Sequence, residues 1–174
     1  MKTREEMLLH LPKNGKGAEI GVFEGTFSEI IIKTLTPSEF YLVDIFSGTG
    51  ISGDKNGENM KTISLDESYN NLVKKYINNK NIFVVKGISD NFFNSIPDQY
   101  LDFIYIDGDH SYNGVTKDLN NSIKKVKKGG VVCGHDYHDN FIEVKNAVND
   151  FCTSHNYKIS LTIDDKLPSF YFIV

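Results

Sequence analysis

Tryptophan is absent from this chain of 174 residues, and cysteine, methionine and proline are scarce at two, three and four residues. Two cysteines cannot build a disulfide framework. Cys133 falls in an expected buried strand and Cys152 in an expected helix, which fits a reduced, cytoplasmic protein. No apolar run approaches the roughly 18 residues that a membrane span requires. Glu5 and Glu6 stand where the apolar part of a signal peptide would begin, so neither secretion nor a membrane partner is expected. An excess of positive charge is also missing. Lys and Arg number 19 against 23 Asp and Glu, a formal net charge of −4, which points away from nucleic acid as a partner. What remains, 40% hydrophobic and 24% charged residues, is the composition of a globular domain with a sizeable core.

There are no internal repeats. Apolar runs alternate with amphipathic stretches instead. Thr3 with Glu6 three residues on has the form of a capping box, so a short helix is expected over 4–11. Strands are expected at 18–23, 40–46, 82–86, 101–106 and from 131. Helices are expected at 26–35, 64–78, 91–96, 115–126 and 141–155. Residues 47–63 hold four glycines and no clear period, and so read as a long loop and a candidate active-site lid. Residues 158–163 and 169–174, with Asp164, Asp165 and Pro168 between them, read as an antiparallel pair. Together these elements predict one α/β domain over 1–174. Its sheet is doubly wound, mostly parallel and seven-stranded, with a C-terminal antiparallel hairpin.

Polar residues gather where strands should end. Phe103, Ile104, Tyr105 and Ile106 read as a strand buried on both faces, and Asp107, Gly108, Asp109 and His110 follow at once. His135 and Asp136 follow the next strand. In open α/β sheets the carboxyl ends of strands are where ligands bind. Adjacent strands lie about 4.8 Å apart, so these groups converge if the two strands are neighbours. Carboxylates so close repel one another unless a cation intervenes. Oxygen donors favour Mg²⁺, whereas an imidazole suits Mn²⁺, Fe²⁺ or Zn²⁺ better. His135 is equally placed to act as a base or to bind substrate. His110, followed by Ser111 and Tyr112, serves either in proton transfer or in shaping the loop. Near the first strand, Glu19-Ile-Gly21-Val-Phe-Glu24-Gly25-Thr26 runs from strand through turn into helix. Its glycines permit close backbone approach and positive φ. The pattern is G-x-x-x-G rather than the G-x-G-x-x-G of dinucleotide sites, and two glutamates beside it disfavour phosphate. Asp44, at the end of the second strand, can accept both hydroxyls of a ribose.

The ordered set of segments 18–26, 41–44, 85–90, 104–112 and 129–137 resembles the class I S-adenosylmethionine-dependent methyltransferases. It is most similar to the macrocin O-methyltransferase-like enzymes, which carry an I-D-G-D-H-S-Y segment, here Ile106 to Tyr112. The resemblance implies a Rossmann-like methyltransferase fold with S-adenosylmethionine as cofactor. Glu19, Gly21 and Gly25 would then border its methionine part, Asp44 its ribose and Ser89 its adenine, with Asp107 also beside it. Ile88 stands where many relatives place an acid near the adenine amine. By the same resemblance Asp107, His135 and Asp136 match metal-ligand positions for Mg²⁺ or Mn²⁺, and Asp109 matches a general base. The expected reaction is methylation of a small-molecule hydroxyl, with a sugar or glycan-like acceptor preferred. Either a partner subunit, in a homo-oligomer, or the 47–63 loop covers the substrate. Two rival readings are a nucleotide-sugar or NAD-dependent oxidoreductase on a related fold and a non-catalytic cofactor-binding subunit.

Overall fold

A computed structural model describes residues 1–53 and 59–174. In chain order the elements are α1 (Arg4–Leu8), β1 (Lys16–Ile20), α2 (Thr26–Leu35), β2 (Glu39–Asp44), β3 (Thr49–Ser52), β4 (Lys61–Ser64), α3 (Leu65–Tyr76), β5 (Ile82–Lys86), α4 (Ser89–Ser95), β6 (Leu101–Ile106), α5 (Tyr112–Lys125), β7 (Val126–Gly134), α6 (Ile142–Ser154), β8 (Ser160–Leu161) and β9 (Phe170–Ile173). Seven strands form one sheet in the order β5-β2-β1-β6-β7-β9-β8. The first five are parallel, and β9 runs antiparallel to both of its neighbours. The expected α/β fold is therefore present. Successive strands first build outward from β1, then the chain returns to lay β6 against β1's other side. That reversal opens a crevice at the carboxyl ends of β1 and β6.

Alternation along the strands explains why both faces are covered. Phe103 and Tyr105 point into a core with Ile31, Leu35 and Leu42, whereas Ile104 and Ile106 join Leu119, Val148 and Phe151 on the other face. Side chains clasp several helix starts, the expected Thr3 cap among them. The Glu6 N–H donates to Thr3 Oγ1 at 3.3 Å, and the Gly114 N–H donates to Ser111 Oγ at 3.1 Å. Among the described residues, no helix is long and apolar enough to cross a membrane.

Several boundaries differ from expectation for identifiable reasons. The first strand ends at Ile20 rather than Phe23 because Gly21 turns the chain with φ +87°. Val126, expected as the last helical residue, instead begins β7 opposite Leu101; the ladder then slips, and Phe103 pairs with Val131. Residues 127–130, Gly129 and Gly130 among them, form the resulting bulge. The strand expected over 158–163 shortens to two residues, since the Ile163 and Asp164 N–H groups donate to the Lys2 carbonyl instead. The expected 47–63 loop is in part an antiparallel hairpin, with Thr49 opposite Ser64 and Ser52 opposite Lys61. Its residues 54–58 lie outside the described residues.

Candidate functional site

The turn after β1 is built around close approach. Gly21 donates its N–H to the Val43 carbonyl at 2.9 Å, and the Asp107 N–H donates to the Ile20 carbonyl at 2.7 Å. These two bonds extend the ladders past the strand ends. A Cβ at Gly21 would overlap the Asp107 carbonyl and the Gly108 Cα. Gly25 takes φ +78° as the residue before α2, with the Leu72 side chain packed against it. Asp44 organises this turn from below. Its Oδ2 accepts from the Val22 and Phe23 N–H groups at 2.8 and 2.9 Å, and its Oδ1 accepts from the Phe46 N–H at 2.8 Å. A carboxylate offers about four acceptor positions, so Asp44 retains capacity for a ligand hydroxyl. Asp44→Ala is expected to lower stability by about 2 kcal/mol, because three N–H groups lose a charged acceptor together. Urea unfolding checks this, and an unchanged midpoint would remove Asp44 as the organiser of the turn.

A cavity of about 690 Å³ opens beside this turn, lined by residues from the ends of β1 and β2, the loop after β6, α3, α5 and the segment after β5. Gly21, Asp44, Ser89, Asp107 and Asp109, all named from sequence, line it. Glu19 and Gly25 are not among the lining residues. Glu19 is only 2% exposed and accepts a hydrogen bond from the Ser28 hydroxyl of α2. Burial pushes its carboxyl up to about 8, against the Ser28 hydrogen bond, which favours ionisation. Glu24 also turns aside, accepting from the Ser52 hydroxyl and so tying the hairpin to the turn. Gly50 of that hairpin packs on the Phe23 ring at the cavity wall. Sequence reasoning missed one lining residue of consequence, Asp118, a carboxylate 4% exposed on α5. Val115, Asp118, Leu119 and Ser122 share the buried stripe of this helix. The i, i+3, i+4, i+7 spacing of that stripe was the available signal.

Beyond the cavity lies the polar cluster. In the parallel register Ile106 pairs with Gly134, so Asp107 and His135 leave the sheet side by side. Asp136 follows with φ +60°, a left-handed conformation that Asp tolerates better than most residues. The ligand-type atoms of Asp107, His110 and Asp136 all lie within 4.8 Å of one another. His110 Nε2 is 3.1 Å from Asp136 Oδ2 and 3.9 Å from Asp107 Oδ1. His135 Nδ1 approaches from the other side, 2.8 Å from Asp136 Oδ1 and 3.8 Å from Asp107 Oδ2. The structure thus brings His110 as close to the two carboxylates as His135. Asp109 produces this arrangement by accepting from the Ser111 N–H at 2.8 Å, which folds the loop back. The Phe141 ring then meets the His110 ring edge-on at 4.8 Å.

The electrostatics follow from that crowding. The nearby carboxylates of Asp107, 3.9 Å away, and Asp136, 3.1 Å away, push His110 up to about 10, so it is cationic at neutral pH. Burial would raise the Asp136 carboxyl, but the close approach of the His110 and His135 imidazoles, at 3.1 and 2.8 Å, outweighs it and holds the group well below the usual carboxylate range. Although His135 Nδ1 lies within ion-pairing distance, Asp136 Oδ1 is buried without a well-directed hydrogen bond. His138, further along, accepts from the Asn140 N–H at 3.1 Å and shapes the turn before α6.

Comparison with known proteins assigns this architecture. The family described as "Methyltransferase domain" matches residues 18–137, which span the glycine turn, Asp44 and both acidic strand ends. Uncharacterized protein R132 of Acanthamoeba polyphaga mimivirus is 28% identical over 123 residues, 70% of this chain and 51% of its own length. The match therefore spans about half of that relative. Among solved structures, the O-methyltransferase NovP superposes with a TM-score of 0.64 at 19% identity, covering 98% of this chain and 78% of its own. TrmK of M. capricolum, in complex with S-adenosylhomocysteine, superposes with a TM-score of 0.64 at 17% identity, covering 99% and 68%. Likeness at these identities is a likeness of fold. Since the family match extends from the first strand through the second acidic strand end, this chain belongs to the methyltransferase-domain family.

Proposed function

We propose that the protein transfers a methyl group from S-adenosylmethionine to a hydroxyl oxygen of a small polar acceptor, a sugar or glycan-like molecule being preferred. The observation that carries this reading is a single cavity at the strand reversal. Asp44 lies on its wall, and Asp107 stands between it and the His110–Asp136 cluster. When bound, the sulfonium supplies an activated methyl group, so most of the chemistry belongs to the cofactor. The chain's task is alignment and charge. Gly21 lets the ligand reach the backbone, and Asp44 accepts from ribose hydroxyls while holding the turn. Asp109, on the cavity wall, is the candidate base for the acceptor's proton; His110, charged at neutral pH, suits donation or orientation better. The preference for a sugar rests on the resemblance that the I-D-G-D-H-S-Y segment at 106–112 carries.

The cluster fits a divalent cation in donor type. Asp107 and Asp136 supply oxygens, and His110 would supply an imidazole nitrogen on giving up the proton it carries at neutral pH; the buried, poorly satisfied Asp136 Oδ1 suits a cation. His135 adjoins as a further ligand or as a support for Asp136. Such a cation would lower the pKa of a coordinated hydroxyl.

Calorimetric titration with S-adenosylhomocysteine, with and without Mg²⁺ or Mn²⁺, tests both parts. The wild type is expected to bind the ligand more tightly with metal. Asp107→Ala is expected to lose that dependence and about tenfold in affinity, the scale of one charge-assisted contact. No binding to the wild type under any condition would end the methyltransferase reading. Binding indifferent to metal would remove the cation and leave methyl transfer standing.

A further inference from the structure

We propose that Arg4 forms an anion subsite for the acceptor, so that the molecule methylated carries a carboxylate beside its hydroxyls, as an acidic sugar does; this rests on the O-methylation reading above. Arg4 is the only arginine of the chain, against 18 lysines. It is partly buried, and its guanidinium lies over the Phe27 ring, with Cζ 4.2 Å from the centroid. Among the described residues its side chain makes no ion pair and no hydrogen bond. An aromatic ring steadies a guanidinium and leaves its N–H fork free for a carboxylate, a geometry that lysine does not offer.

Its place in the fold points to the acceptor. Phe27 lies in the first turn of α2 and meets the Tyr105 ring at 4.7 Å. Tyr105 pairs in register with Glu19, two residues before Asp107. The Arg4 charge acts on both Tyr105 and Glu19. Backbone hydrogen bonds carry this rim round to the second acidic strand end. The Lys2 carbonyl accepts from the Ile163 and Asp164 N–H groups at 3.1 and 2.9 Å. At the far end of that loop the Pro168 carbonyl accepts from the Tyr137 N–H at 2.9 Å, one residue past Asp136. Arg4 is not among the residues lining the 690 Å³ cavity. Asp44 and Ser89 of that cavity follow β2 and β5, on the other side of β1. Asp107, Asp109 and Asp136 make the strand ends acidic, and an anionic acceptor would be repelled there without a compensating cation. Glu19 does not cancel the Arg4 charge, because burial pushes its carboxyl up to about 8 and leaves it mostly protonated at neutral pH. A ligand carboxylate gives the guanidinium the charge-assisted partner it lacks, whereas a neutral sugar leaves it unpaired.

The test uses the protein saturated with S-adenosylhomocysteine and two sugars that differ in one group, methyl β-D-glucuronide and methyl β-D-glucoside. Calorimetry reads their binding to the wild type, Arg4→Gln and Arg4→Lys. The wild type is expected to bind the glucuronide about tenfold more tightly or better, as one charge-assisted pair implies. Arg4→Gln should narrow the ratio to about twofold, and Arg4→Lys, which keeps the charge without the fork, to about threefold. A ratio of two affinities within one variant is insensitive to its stability, which separates recognition from a merely structural role. Affinity for S-adenosylhomocysteine should be the same in all three proteins. Wild type that binds both sugars alike, or neither, overturns the acidic acceptor. A ratio undiminished in Arg4→Gln overturns the subsite, and Arg4→Lys decides in the same way should the glutamine variant fail to fold. Weakened S-adenosylhomocysteine binding in the variants would place Arg4 on the cofactor and overturn it as well. Wild type that does not bind S-adenosylhomocysteine at all fails the methyltransferase reading itself, an outcome distinct from these.

Discussion

Glu19→Gln is expected to stabilise the protein by about 3 kcal/mol at pH 7, given 1.36 kcal/mol per unit of pKa shift. Glu19 lies in β1 beneath the glycine turn, 2% exposed, with the Ser28 hydroxyl as its hydrogen-bond donor. Burial raises its carboxyl from 4.5 to about 8. Between those values the folded protein holds a proton that the unfolded chain has released. Folded protein then binds more protons than unfolded, so stability falls as pH rises through that window and levels off above it. Below pH 4.5 both states are protonated and Glu19 adds no such penalty. Glutamine keeps an acceptor for Ser28 and cannot ionise, so the variant should lack this slope. Urea unfolding of both proteins at pH 5, 6, 7 and 8 measures it. Parallel curves would show that Glu19 is not carried neutral. Asp107 and Asp44 also raise the group, so a charge at Glu19 works against the acids that line the cavity.

Gly21→Ala should lower stability by about 3–5 kcal/mol, combining backbone strain with a backbone clash. Gly21 adopts φ +87°, and an added Cβ would overlap the Asp107 carbonyl and approach the Gly108 Cα. Neither can yield as a flexible side chain does, because the Asp107 N–H is bonded to the Ile20 carbonyl at 2.7 Å. The ends of β1 and β6 must separate, and Asp107 moves with them. Gly129→Ala is the control. Its φ is +83°, yet nothing lies within 4 Å of an added Cβ, so only the conformational term applies, about 1–2 kcal/mol. Unfolding free energies of both variants separate clash from strain. Equal losses would mean that the two strand ends are not tightly apposed. Binding of S-adenosylhomocysteine should also fail in Gly21→Ala while surviving in Gly129→Ala.

The fold was readable where hydrophobic period and turn chemistry agreed. Ile104 and Ile106 alternate with Phe103 and Tyr105 in a short apolar run, and such a run between helices has few uses besides a central parallel strand. Asp44 and Asp107 were legible as cavity-lining residues because each stands at the carboxyl end of such a strand. The hairpin of β3 and β4 was not, since its strands pair only with each other and carry no buried apolar face to give a period. Asp118 was hidden for the opposite reason. An aspartate inside a polar helix reads as solvated unless its place on the stripe with Val115, Leu119 and Ser122 is weighed, and packing of α5 on its neighbours buries that stripe. The loop that carries His110 back toward Asp136 depends on a side chain bonding its own backbone, at Asp109 and Ser111, which leaves no periodic trace.

The central seam of the sheet has a kinetic consequence. β1 meets β2 early in the chain, but its other neighbour is β6, and the contact of Lys16 with Asp102 spans 86 residues. Closing so long a loop must precede any reward from that seam, which makes its formation a slow step of folding. A nascent chain shorter than β6 has no Asp107 carbonyl against Gly21 and hence no closed pocket. Acquisition of ligand-binding competence during refolding should therefore track consolidation of the whole β sheet rather than appear in an early, partly ordered intermediate.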